Sequence, residues 1–156
     1  MTSFQEFLHQ KAEEQNQGSR RELRDEWISA VDNLNRQIID WLGEADPEHL
    51  LEITRQPIEK AEVGLGPYQV SGLKVGVGNL AVRVVPIARN LAGSPAPLGD
   101  GSTLGGRVDI TNGSKKYMLR RILRDSAAAW EVLDEEFGVT PLDRGRLEAI
   151  LRDLLA

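Results

Sequence analysis

Apolar residues in the first third of the chain recur at helical spacing. Leu23, Trp27, Val31, Leu34, Ile38 and Trp41 follow one another at steps of four and three, and Ile28, Ile39 and Leu42 widen the stripe at its flank. Upstream, Ser3 with Glu6 and Ser19 with Glu22 fit the box in which a hydroxyl and a carboxylate satisfy the first orphan N–H groups of a helix. Gly18 stands between them, where a helix end favours glycine. The pattern therefore predicts a short helix over 4–16 and a longer one over 20–42, closed by Gly43. Asp46-Pro47 predicts a third, short helix, with the aspartate as N-cap and the proline in the first turn, ending before Pro57.

From about residue 59 the period changes from helical to two. Leu73, Val75 and Val77 alternate with polar or small residues, as do Leu80, Val82 and Val84, and Gly78-Asn79 between them signals a tight hairpin. Pro86 belongs near a strand end or on an edge. Residues 107–111, with Val108 and Ile110 on one face, read as a further strand, and Asn112-Gly-Ser-Lys115 as a turn. Residues 115–137 suit either a helix or a hairpin turning at Arg124-Asp-Ser-Ala127. A meander that needs its next strand favours the hairpin. Thr140 and Pro141 predict the start of a last helix, in which Leu147, Ile150, Leu151, Leu154 and Leu155 form the apolar face.

Helices at the two ends and strands between them give an α+β fold. The expected form is an antiparallel meander of about five or six strands, with N-terminal helices and a C-terminal amphipathic helix packed on it. Residues 1–54 form an N-terminal helical segment, a candidate coiled-coil or dimerisation arm. Residues 55–156 form the sheet with its last helix, in one continuous fold with the first segment.

Charge sharpens the division. Residues 1–54 carry 5 basic and 12 acidic side chains, a net −7, whereas 55–156 carry 14 and 12, a net +2. The chain has no cysteine, which excludes disulfides and thiolate chemistry. Its first residues lack the basic and apolar regions of a secretory signal, and no apolar run approaches a bilayer's width, so a cytoplasmic protein without membrane contact is expected.

Candidate chemistry is sparse. The glycine-rich stretch Pro97–Gly106 has the wrong spacing for a phosphate-binding loop and runs into a strand where such loops run into a helix. It reads as a connector, or as a lid over a small-molecule site at 90–106. Lys115, Lys116, Arg120, Arg121 and Arg124 are a candidate basic patch for nucleic acid. On a strand, however, Arg121 points away from Lys116, Arg120 and Arg124, and the acids at 131–136 can lie across the hairpin. Neither histidine has a ligand at metal spacing, and no catalytic residue, metal or cofactor is expected.

The tryptophan-bearing stripe Trp27, Val31, Leu34, Ile38 and Trp41 reads first as core and second as a partner or dimer surface. The leading functional expectation is accordingly a non-catalytic interaction module, an adaptor, assembly factor or chaperone-like protein that binds a protein partner or itself through its N-terminal helices. A small-molecule binder or enzyme and a nucleic-acid binder are the alternatives.

Overall fold

In a computed structural model, described for residues 3–90, 96–97, 101–125, 127–136 and 138–156, the chain begins with one long helix. This helix, α1, spans Phe4–Ala45 without interruption. Ser3 caps it as expected, accepting from the Glu6 N–H while Glu6 accepts from the Ser3 N–H. The expected break at Gly18-Ser19 does not occur. A glycine within a helix costs only about 1 kcal/mol, and the strong helix formers on both sides carry the helix through it.

The third helix expected after Asp46 is also absent. The Asp46 carboxylate instead accepts from the N–H groups of Leu50 (2.9 Å) and Leu51 (2.8 Å), closing a turn in which His49 takes φ 54°. With those donors satisfied, the β-branched run around Ile53 and the helix-breaking Pro57 continue as a strand. That strand, β1 (Glu52–Glu62), pairs along its whole length with β2 (Gly66–Val77).

Next come β3 (Leu80–Ala88), the two-residue β4 (Ala96–Pro97), β5 (Thr103–Thr111), β6 (Lys116–Arg124), β7 (Ala127–Asp134) and β8 (Gly138–Pro141). All pair antiparallel in the order β1-β2-β3-β5-β6-β7-β8, with β4 on β5, so the sheet is a meander of more strands than the five or six expected. The Gly78-Asn79 hairpin and the β6–β7 hairpin both form. The extra strands are β1, whose first residues the sequence pattern assigned to a helix, β4, which fell in the glycine-rich connector, and β8, which fell at a helix cap. Thr140 and Pro141 end β8, and Asp143 caps the last helix, α2 (Arg144–Leu155), by accepting from the Arg146 N–H at 2.7 Å.

One apolar cluster unites these parts. Trp27, Val31, Leu34, Ile38 and Leu42 of α1 meet Leu73, Val75, Val82, Val84, Val108, Ile110, Leu119 and Val132 of the sheet and Leu147, Ile150, Leu151 and Leu154 of α2.

A buried amide ties α1 to the sheet within this core. The β2–β3 pairing ends at Leu73–Val84, and continuing its register would set Ser71 opposite Pro86, which has no N–H to give. On the other side Ser71 faces Pro57. The fully buried Asn35 of α1 supplies the missing donor, its Nδ2 lying 2.8 Å from the Ser71 carbonyl. Asn35→Ala leaves that carbonyl unpaired and should lower unfolding free energy by about 1–3 kcal/mol, read from the urea midpoint at unchanged slope.

Candidate interaction surfaces

The tryptophan-bearing stripe is placed within the protein's own core. Trp27, Val31 and Ile38 are fully buried, Leu34 nearly so, and Trp41 is half-buried. Trp27 packs beside Trp130 with ring centroids 6.1 Å apart. These side chains fix α1 on the sheet, and any partner contact through them would have to open the core.

The basic run is dispersed, for the reason its strand alternation suggests. Arg121 passes beneath α1 and pairs with Glu26 at 2.6 Å. Arg120 pairs across the hairpin with Glu131 at 3.4 Å, its register partner. Lys115 pairs with Asp153 of α2 at 2.5 Å, and the Tyr117 hydroxyl donates to the same carboxylate. Lys115 first, and Tyr117 next, hold the Asp153 carboxyl below the usual range. Arg124 also has an interaction partner, so a continuous cationic face does not form.

The expected lid at 90–106 lies partly outside the described residues, at 91–95 and 98–100. Of the remainder, Ala96–Pro97 pairs with Thr103 and Leu104, and Gly105 and Gly106 lie inside β5. Among the described residues no three potential metal ligands cluster, and no helix is long and apolar enough to cross a membrane.

Two surfaces that the sequence reading did not single out remain. The first is the N-terminal part of α1. Every residue from Phe4 to Glu22 whose burial is described is exposed, so roughly 28 Å of helix stands clear of the sheet. At its tip Phe4 and Phe7 stack with centroids 6.2 Å apart, and Lys11 lies over the Phe7 ring. Phe4 is 74%, Phe7 46% and Leu8 51% exposed. On an ideal helix these three centre on the side opposite the Trp27–Leu42 stripe, so the tip turns its apolar face away from its own sheet. The signal was legible in the i, i+3, i+4 spacing of Phe4, Phe7 and Leu8.

The second is an open groove of about 910 Å³ at the far end of the sheet, between the β6–β7–β8 ends and α2. Met118, Leu133, Val139, Ala149 and the Tyr117 ring supply its apolar surface. Arg146 fixes one wall by pairing with Asp134 at 2.6 Å and lying over the Tyr117 ring. Lys116, Glu135 and Glu136 stand on the rim. Nothing in the sequence marked it, because Val139 sat within the expected helix cap.

The chain matches no protein-family model, no curated protein and no solved structure.

Proposed function

We propose that this protein is a non-catalytic interaction module whose docking element is the free N-terminal part of α1, its sheet and α2 serving as the base that holds the helix out. The observation that carries this reading is the projecting helix with Phe4, Phe7 and Leu8 exposed at its tip. An isolated helical stretch of this length is marginal in water, and here Gly18 weakens it further. Its anchorage is the buried half of α1, and the tip gains a packing surface only from another molecule. Apolar side chains at i, i+3 and i+4 are the anchors by which a helix enters a hydrophobic groove.

The reading places the interaction on the N-terminal helical segment, but moves it from the tryptophan stripe to the opposite face of the tip. A photo-reactive phenylalanine analogue at Leu8 of the full chain, irradiated in the native cell, should give one stoichiometric protein adduct. The same group at Arg36, exposed on the anchored half, should give none. Equal labelling at both positions, or none at either, would overturn the proposal.

A further inference from the structure

We infer that the groove between β6–β8 and α2 receives the tip of α1 from a second copy of this chain, joining copies head to tail. The inference rests on the reading of the tip as a docking element and names its occupant.

Size argues first against tips simply pairing with each other. A stable interface buries about 800 Å² on each partner, and the tip offers three large apolar side chains on a convex helix. Such a patch needs a concave receiver that surrounds it. The groove is concave, has an apolar surface of Met118, Leu133 and Val139, and leaves Val139 47% exposed, as though awaiting cover. Its volume falls within the range that encloses a compact apolar body.

Charge argues next. Lys116 stands on the β6 side of the rim and Glu135 and Glu136 on the β7 side, and none of the three makes an ion pair among the described residues. The tip carries Glu6 and Lys11, of opposite sign and about 7.5 Å apart along the helix axis. On an ideal helix Lys11 shares the apolar face with Phe4, Phe7 and Leu8, while Glu6 lies on the other side. Docking that face brings Lys11, and not Glu6, toward the two glutamates and favours one orientation of the tip in the groove.

Geometry excludes the chain's own groove as the receiver. Arg121, near the C-terminal end of β6, contacts Glu26, and from there α1 runs outward to its tip. The groove lies at the N-terminal end of β6, at Lys116–Met118, on the order of 15 Å away along the strand and in the opposite direction. Running unbroken from Phe4 to Ala45, α1 carries its tip away from that groove. Tip and groove at opposite ends of one molecule make a heterologous contact that repeats from copy to copy.

The test is sedimentation of the full chain and of two variants, Phe7→Glu at the tip and Val139→Glu in the groove. The wild type should show a mass that rises with concentration to at least double the monomer. Each variant alone should stay monomeric, with an unchanged melting temperature because both sites are exposed. Mixed in equal amounts they should form a dimer that grows no further, since one intact tip and one intact groove remain. A mixture that stays monomeric while the wild type associates would overturn tip-in-groove docking. A wild type that is monomeric at all concentrations would overturn self-docking. In that case an adduct from Leu8 to a different protein would leave the interaction-module reading standing, and no adduct would remove both.

Discussion

Gly106→Ala will bring the protein to the edge of unfolding, the largest effect expected from so small a change. A Cβ on Gly106 would lie 2.2 Å from Cζ3 of Trp27 and 2.6 Å from Cη2. The ring cannot give way, because Trp27 is fully buried and Trp130 stands beside it. Gly106 also holds φ 143°, a conformation that costs an L residue about 1–3 kcal/mol. Overpacking adds about 1–3 kcal/mol more, against a total stability of about 5–15 kcal/mol for a domain.

The neighbouring Gly105→Ala is the control. Its Cβ would meet only the branched end of the half-buried Leu123, which can move, and its φ is not positive. Trp27→Leu separates the two contributions. It is destabilising alone, but in its background Gly106→Ala should lose the clash and keep the backbone strain, a coupling of about 1–3 kcal/mol measurable in a double-mutant cycle. Gly106→Ala costing under about 1 kcal/mol in the wild-type background would contradict the close approach of β5 to α1.

That contact shows where the sequence is informative and where it is silent. The hairpins at Gly78-Asn79 and Asp125 and the amphipathic face of α2 were legible because each depends on residues adjacent in the chain. Gly105-Gly106 read as a flexible release into a strand, because the ring that requires a glycine there belongs to α1, and composition cannot show which helix crosses which strand. The same applies to β1. The Asp46-Pro47 signal that placed a helix over its first residues is sound locally, and only pairing with β2 along the full strand outweighs it. Of the candidate surfaces, the burial of the tryptophan stripe followed from its helical period, and the dispersal of the basic run from its strand period. The groove depends on α2 lying against the end of β6–β8, a long-range placement that leaves no local trace.

Replacing Glu62 with alanine should be the next most damaging change, because one carboxylate holds the ends of β1, β2 and β3 together. Its oxygens accept from the backbone N–H of Arg89 (3.1 Å) and of Asn90 (2.9 Å), and from the Tyr68 hydroxyl. Asn90 returns the contact by donating from Nδ2 to the Val63 carbonyl at 3.1 Å. Hydrogen bonds to a charged group contribute about 1.5–3 kcal/mol each when partly buried, and their losses overlap, so Glu62→Ala should cost about 2–4 kcal/mol.

Glu62→Gln should recover little. Its amide has one acceptor oxygen, and its NH₂ would face donors. Tyr68→Phe removes one donor and leaves both backbone bonds, so it should cost the least of the three. It also isolates a pH effect. Burial, and then the bond to Glu62, raise the Tyr68 phenol above its ordinary pKa of 10.0. The folded protein therefore keeps a proton that the unfolded chain releases. This contribution to stability is complete below pH 10 and declines as pH rises from there through the folded value. Wild type should consequently lose stability more steeply than Tyr68→Phe above pH 10. Tyr117, also raised, is present in both and cancels in the comparison. Parallel curves for the two proteins would mean that the phenol is solvated and that Glu62 holds the strand ends through the backbone alone.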